Sequence, residues 1–219
     1  STVKNERGQN YDNRPYGLAG ETASRNLYSY GHPYSWLTIG YVEDLNRVNV
    51  DDLKNFFLRW YGPNNAALTV GGDVKPAEVV KLVEKYFGSI PRGPEVSPVQ
   101  VPPAVVKQDR YVSYTDNYAK LPLLSVVFPS VPIYHKDMGA LTCLSQVLGQ
   151  GRNSVLYQQL VKKQLALQAS SFSNLSELAG EFTFQLTPSP GKSLAMMDTL
   201  FRRALDSFEL RGVTDEDVV

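Results

Sequence analysis

A proline-rich segment, Pro91–Pro103, divides the chain into two parts. Five of its thirteen residues are prolines, and no apolar periodicity runs through it. Because proline fixes φ and lacks a backbone donor, such a segment favours an extended, semi-rigid linker over a helix or a central strand. We therefore expect three regions, namely residues 1–90, the linker 91–103 and residues 104–219.

The first region is predicted to contain helices at both ends of residues 1–30, a turn at 31–34, and two amphipathic helices. One of these is capped by Asn49 or Asp51 and ends at Gly62-Pro63, and the other runs from Pro76 to Gly88. Residues 66–70 predict a short strand between them. The apolar positions at three–four spacing are expected to face a core: Leu53, Phe56, Phe57, Trp60, Tyr61, and then Val79, Leu82, Val83, Tyr86, Phe87.

The region after the linker mixes strand and helix patterns. Strands joined by hairpin-length turns, with helices collected in runs, indicate an α+β fold rather than a doubly wound α/β fold. The predicted strands lie near 105–115, 121–128, 166–172 and 179–187, and the predicted helices near 137–148, 153–163 and 193–210.

Charge and apolar content exclude several classes of function. Lys+Arg and Asp+Glu number 22 each, so the zero net charge gives no electrostatic reason to expect nucleic acid or an anionic membrane as a partner. No apolar run reaches membrane-spanning length. The chain lacks an initiator methionine and stops at Thr214–Val219, where a capped helix seems to have only just begun by its pattern, so we expect a segment of a longer protein.

No local spacing of residues identifies an active site. The two histidines, His32 and His135, are far apart beside turn residues and are interpreted as turn and loop residues. The single cysteine, Cys143, lies in an apolar helical stretch and is interpreted as a small buried residue. The acidic run 215–217 is interpreted as the start of a helix. Residue chemistry alone therefore does not indicate an enzyme.

The glycine-containing segment 148–154 has two interpretations. It lacks the Gly-Lys-Ser/Thr ending of a phosphate-binding P-loop. The favoured role is a helix end followed by re-entry into the next helix, with Asn153 or Ser154 as the cap. A backbone-lined binding loop is the functional alternative.

The order of short motifs resembles the M16 zinc metallopeptidases, which include pitrilysin, insulinase and the mitochondrial processing peptidases. The matching stretches are Lys4-Asn5-Glu6-Arg7, His32-Pro33-Tyr34, Tyr61–Ala66, Gly71-Gly72-Asp73 and Lys85–Gly88, with Leu148–Gly151 looking like part of the family's next domain. The resemblance implies LuxS/MPP-like metallohydrolase domains: an α+β fold with an antiparallel-rich sheet and helices packed on one face. It also implies that 1–90 is the C-terminal half of a first domain and 104–219 the N-terminal part of a second.

In that family, zinc is held by the two histidines of a His-x-x-Glu-His helix and by a glutamate downstream, and the helix glutamate is the general base. This chain has no His-x-x-Glu-His. By resemblance, Glu6 corresponds to the downstream zinc ligand. If the second domain repeats the first, Thr142 and Gln146 occupy the histidine positions and Ser145 the glutamate position, which is the pattern of a non-catalytic domain.

Active relatives often carry an arginine and a tyrosine in this second domain that grip the substrate. Val161 and Leu167 fall about where those residues are expected, and Lys162 or Lys163 are weak candidates to substitute for them.

Taken together, the resemblance implies a segment of a zinc metalloendopeptidase that helps to form the peptide-binding chamber and is inactive alone. Zn²⁺ is expected in the full-length protein and not on this segment. The expected partners are a peptide or unfolded protein and the remaining M16 domains of the same chain or of a sister subunit. The alternative is a non-catalytic M16-like subunit or scaffold that binds peptides or a partner protein. Relatives of this kind are often exported to the periplasm.

Overall fold

The computed structural model describes residues 2–217, apart from the side chain of Glu216. These residues form two compact units: residues 1–39 with 101–219, called here the sheet unit, and residues 40–100, called here the helical unit. The division predicted from the proline segment, with breaks at 90 and 104, concerns domain repeats rather than compactness and stays a prediction. Residues 91–103 form neither helix nor strand.

The sheet unit contains a three-stranded antiparallel sheet. Its strands are β1 (Leu124–Ser130), β2 (Ala166–Leu175) and β3 (Gly180–Pro188), in the order β1-β3-β2. The helices of this unit are α1 (Thr2–Arg7), α2 (Ala19–Leu27), α6 (Met138–Gly149) and α7 (Leu194–Arg211). Single turns of π-helix span Gly8–Asp12 and Tyr157–Val161. The α+β fold class is therefore confirmed.

Alternation along the strands creates the core of the sheet unit. Phe182, Phe184 and Leu186 on β3 share one face, which packs with residues of α6, of the segment 155–160 and of α7. Phe201 of α7 lies 4.8 Å from Phe184, measured between ring centroids. The opposite face of β1 carries Val127, which packs with Leu27, Tyr28 and Ala179.

The helical unit contains α3 (Val42–Arg47), α4 (Val50–Trp60) and α5 (Pro76–Phe87). Asn49 caps α4 in a full capping box with Asp52, and Pro76 stands at the start of α5, as the sequence predicts. No described residue of this unit is fully buried. The apolar faces of α4 and α5 are helical as expected, but the expected burial is wrong for residues such as Leu53 and Phe57, which are 60% and 58% exposed.

Two predicted strands do not form. Residues 66–70 and 105–115 carry no strand hydrogen bonding, since neither segment pairs with another described segment. A strand needs a neighbour to satisfy its backbone groups, whereas a helix satisfies its own. The acidic run Asp215–Asp217 forms a short 3₁₀ turn, and the continuation of the predicted helix at Val218 and Val219 lies outside the described residues.

Candidate functional site

Glu6 lies on α1, a helix of six residues that continues directly into the π-helical turn Gly8–Asp12. Its side chain is exposed, whereas the next residue, Arg7, is buried at 6% exposure. A helix this short is not stable by itself, because nucleation fixes several dihedral angles for very few hydrogen bonds. The orientation of α1 must therefore come from contacts with other segments.

Arg7 supplies such a contact through a buried ion pair. Its Nη2 lies 2.8 Å from Oε2 of Glu21 on α2, and its Nε lies 3.3 Å from Oδ1 of Asp12 in the π-helical turn. Glu21 is itself only 7% exposed. Because an unpaired charge is very costly away from water, this geometry holds the arginine and both carboxylates together.

A second set of hydrogen bonds attaches the loop after the π-helical turn to residues far along the chain. The backbone N–H of Tyr16 donates to Oδ2 of Asp116 at 2.7 Å, and the hydroxyl of Tyr118 donates to Oδ1 of Asn13 at 3.0 Å. Backbone donation from Tyr118, and also from Ala119 and Tyr16, holds the pKa of Asp116 below its ordinary value. The segment that follows Glu6 is thus fixed at both of its ends.

Glu6 satisfies the chemical requirement for one zinc ligand only. A carboxylate oxygen is a suitable ligand, and its exposure leaves it accessible. Across residues 2–217, however, no group of three or more His, Cys, Asp or Glu side chains converges on a point. The described residues therefore fit one ligand of a zinc site whose remaining ligands would have to come from elsewhere.

The helix α6 carries the three degenerate positions. Ser145 is buried, and its Oγ donates to the Thr142 carbonyl at 2.8 Å. Thr142 is exposed and donates to the carbonyl of Met138 at 2.9 Å, and Gln146 is also exposed. Both hydroxyls are satisfied within the helix and are poor metal ligands at neutral pH, so this surface shows neither a base nor a ligand set.

The glycine segment after α6 has a structural role. A Cβ at Gly149 would stand 2.2 Å from the backbone nitrogen of Ser171, so only glycine permits this approach of α6 to β2. Gly151 adopts a φ of +77°, and Ser154 Oγ donates to its carbonyl at 2.8 Å. The favoured interpretation, a helix end with re-entry, agrees with these contacts.

Lys162 and Lys163 follow the π-helical turn Tyr157–Val161 and are exposed. Their Nζ atoms donate to the side-chain oxygens of Gln158 at 2.9 Å and Gln159 at 2.6 Å. Val161 is half-buried, and Leu167 is 51% exposed at the start of β2. The lysines are therefore accessible cations, and their role in substrate binding stays a prediction.

An aromatic cluster around His32 was not anticipated from the sequence. The His32 ring is 3% exposed, stacks on Tyr28 at 4.6 Å, and lies 5.3 Å from Tyr34, measured between ring centroids. Its Nδ1 accepts from the Tyr34 backbone N–H at 3.0 Å, and burial lowers its pKa. His32 is thus a buried cap of the turn Pro33–Ser35, and not only a turn residue.

Tyr28 and Tyr34 of this cluster also line a cavity of about 240 Å³ together with Glu181 of β3. Burial raises the pKa of Glu181, and burial followed by the charge of Glu181 raises that of Tyr28. No local spacing could have revealed this, since Tyr28 and Glu181 lie in distant parts of the sequence. Aromatic residues beside the His-Pro-Tyr turn were the only signal.

The other two candidates from the sequence have different outcomes. His135 lies in the loop before α6, as expected, and its Nδ1 accepts from the Asp137 backbone N–H at 3.2 Å. Cys143 is exposed, so its interpretation as a buried residue is wrong. The buried side of α6 is formed instead by Ser145, Val147, Leu148 and Gly149.

Comparison with known proteins places these features in one family context. Residues 47–219 match the family profile described as the inactive domain of M16 peptidases. The zinc protease PqqE of Helicobacter pylori is 33% identical over 189 residues, which are 83% of this chain and 41% of that protein. The beta subunit of the mitochondrial-processing peptidase of Caenorhabditis elegans is 26% identical over 184 residues, 82% of this chain and 37% of that protein.

Solved structures give the same picture. A protease from Helicobacter pylori superposes with a TM-score of 0.84 at 29% identity and covers 99% of this chain and 53% of that one. The first half of the periplasmic protease PqqL from Escherichia coli shows the fold alone, with a TM-score of 0.73 at 16% identity, over 99% of this chain and 47% of that one. The chain thus spans about half the length of the proteins it matches, or less. None of its described helices has the length and apolar character needed to cross a membrane.

Proposed function

Since this chain belongs to the M16 peptidase family, we propose that it is the part of a zinc metalloendopeptidase that supplies one metal ligand and helps to enclose the peptide-binding chamber. The family expected from the motifs is thereby confirmed, while the activity of the whole protein is our proposal. The observation that carries it is Glu6, an exposed carboxylate on a helix whose neighbouring residue is locked by a buried ion pair.

In this proposal Glu6 is a zinc ligand in the full-length protein. When bound, zinc would supply a Lewis acid and lower the pKa of a coordinated water. The described residues contain no general base for the hydrolysis, because Thr142, Ser145 and Gln146 stand on α6 where the resemblance places the family's catalytic residues. The chain alone is accordingly proposed to be inactive.

The part from residue 104 onward is proposed to face the chamber as a non-catalytic domain. Its exposed lysines, Lys162 and Lys163, offer cationic hydrogen-bond donors for the backbone carbonyls or carboxylates of a peptide. Their partners would be a peptide or unfolded protein as substrate. The remaining M16 domains, from the same chain or from a sister subunit, would complete the enclosure.

A non-catalytic M16-like subunit or scaffold that binds peptides or a partner protein is the second candidate. It is favoured by the side chains of α6, which make only local hydrogen bonds, and by Val161 and Leu167 at the positions expected for gripping residues. For location we propose the periplasm, in analogy with the similar periplasmic protease PqqL.

The test of the proposed function uses the full-length protein. We expect stoichiometric zinc, and cleavage of an unstructured peptide that chelators abolish. The variant Glu6→Gln should lose zinc affinity and cleavage, whereas the matched control Glu43→Gln, an exposed glutamate on α3, should retain both. The isolated chain 1–219 should show no chelator-sensitive hydrolysis.

Two results would favour the scaffold instead. One is a full-length protein that binds peptide without stoichiometric zinc. The other is a complete parental sequence without His-x-x-Glu-His, since two of the three protein ligands and the general base would then be missing.

A further inference from the structure

We propose that Arg7 and Glu21 are positioning residues, whose buried ion pair sets the direction of the Glu6 carboxylate for metal binding. This inference rests on the proposed role of Glu6 as a zinc ligand. It adds two residues that do not touch the metal but act through the helix that bears the ligand.

The first step concerns the freedom of α1. A six-residue helix can rotate about its axis or fray unless something holds it, and its neighbour in sequence is a π-helical turn, Gly8–Asp12, with irregular hydrogen bonding. The exposed residues 2–6 provide no core packing that would hold it. Arg7 is the buried residue of α1.

The second step concerns the geometry of the lock. The Arg7 guanidinium contacts two separate elements: Glu21 on α2 through Nη2 at 2.8 Å, and Asp12 in the π-helical turn through Nε at 3.3 Å. Because the guanidinium is planar and its donors are fixed relative to one another, two contacts on different nitrogens define its orientation. A lysine ammonium would not impose the same constraint.

The third step transfers this constraint to Glu6. Successive residues of a helix are separated by about 100° of rotation, which follows from 3.6 residues per turn. Fixing Arg7 toward α2 therefore fixes the side on which Glu6 leaves the helix. Metal ligands need geometry within a few tenths of an ångström, and residues that orient ligands typically change metal affinity about 10–100-fold when they are mutated.

A purely structural role makes a different prediction. Buried ion pairs contribute little net stability, and replacing both partners by apolar residues of similar size is often neutral. If the pair served stability alone, the double variant Arg7→Met/Glu21→Leu would retain both its fold and its zinc affinity. If the pair positions Glu6, the fold persists and the affinity falls.

The experiment measures zinc affinity of the full-length protein by competition with a chromophoric chelator, and the visible spectrum of the Co²⁺-substituted form. The variants are Glu21→Gln and the apolar double variant. The matched control is Arg25→Met, which removes an arginine 61% exposed at its side chain and 3.8 Å from the same Glu21 carboxylate. Hydrogen exchange of the amides 2–7, relative to those of β3, reports on α1 without any metal.

We expect a 10–100-fold loss of zinc affinity, an altered Co²⁺ spectrum and faster exchange in α1 for both variants, with β3 unchanged and the control like wild type. Unchanged affinity in folded variants would overturn the positioning role while leaving Glu6 as a ligand. Variants that fail to fold would show that the pair is a folding element, and would overturn it as well. A wild-type protein without zinc, or a Glu6→Gln variant with normal affinity, would instead overturn the proposed function.

Discussion

The sheet unit and the helical unit have similar apolar patterns but opposite burial. In the sheet unit, Leu186 and Met197 are completely inaccessible to solvent. In the helical unit, α4 and α5 present equally regular apolar faces, yet Leu53, Phe57 and Tyr86 are each more than half exposed. The difference is that the sheet unit has a sheet on which its helices pack, whereas no described strand lies between residues 40 and 100.

This contrast teaches that amphipathic periodicity determines where a helix forms and not whether its face is covered. Helix hydrogen bonds are satisfied locally, and the caps of α4 and α5 require no distant partner. Burial requires a second surface. The helical unit therefore derives its order from local signals, and the sheet unit from long-range packing, which predicts different responses to the same kind of mutation.

The largest expected difference is between two truncations of apolar residues. Leu186→Ala should destabilise the sheet unit by about 2–5 kcal/mol, because it removes a fully buried side chain and leaves a cavity. Phe57→Ala, at a residue 58% exposed, should change the helical unit by about 0.5 kcal/mol or less. Urea unfolding of chain 1–219 measures both.

The two tryptophans allow each unit to be followed separately. Trp36 belongs to the sheet unit and Trp60 to the helical unit, so Trp60→Phe and Trp36→Phe backgrounds each leave one reporter. Equal losses for Leu186→Ala and Phe57→Ala would contradict the contrast. A loss of several kcal/mol for Phe57→Ala in the full-length protein only would show that the α4 face is covered there.

The next effect, of about 1 kcal/mol, comes from helix caps. Asn49 Oδ1 accepts from the Asp51 and Asp52 backbone N–H groups at 2.8 and 3.2 Å, and Ser193 Oγ accepts from the Met196 N–H at 3.1 Å at the start of α7. Asn49→Ala and Ser193→Ala each remove a satisfied cap, at a typical loss of about 0.5–2 kcal/mol.

We expect Asn49→Ala to lower the unfolding midpoint reported by Trp60, and Ser193→Ala the midpoint reported by Trp36. Asn49→Asp serves as the control that retains a capping oxygen. A shift of both reporters by either alanine variant would mean that the units unfold cooperatively, and the contrast would then apply to burial but not to stability.

Sequence signals that act over a few residues predicted the structure well. The patterns placed α4 to α7 within a few residues of their observed bounds, because caps, prolines and three–four spacing are local. The alternation of Phe182, Phe184 and Leu186 predicted β3 correctly. The segments 66–70 and 105–115 show the limit: β-type composition does not make a strand without a partner.

The candidate site depends on contacts that no local pattern contains. Glu6 could be named from a motif, but nothing in the sequence indicated that Arg7 would be buried against Glu21 or that Asp116 would accept from Tyr16. Cys143 was assigned to the wrong side of α6, because an apolar helical stretch does not reveal which side meets the sheet. These are properties of tertiary packing.

The smallest effect is a pH dependence confined to the sheet unit, since the helical unit contains no histidine. Burial lowers the pKa of His32 below its unfolded value of about 6.5, so the unfolded chain binds the proton more readily. The stability contributed by neutral His32 is present above that unfolded value and is lost as the pH falls toward the folded value. Protonation of Nδ1 would also remove the acceptor for the Tyr34 N–H.

His32→Asn isolates this contribution, because an asparagine oxygen can accept the same i+2 backbone N–H but does not titrate. Glu181 acts in the opposite direction: burial raises its pKa, so its contribution to stability grows as the pH falls. It is present in both proteins and cancels in the difference. We expect the wild-type midpoint at Trp36 to fall relative to that of His32→Asn between pH 7.5 and 5.5. Parallel pH profiles for the two proteins would show that His32 is not buried in its neutral form, and would remove the long-range packing around Tyr28 from the features that distinguish the sheet unit.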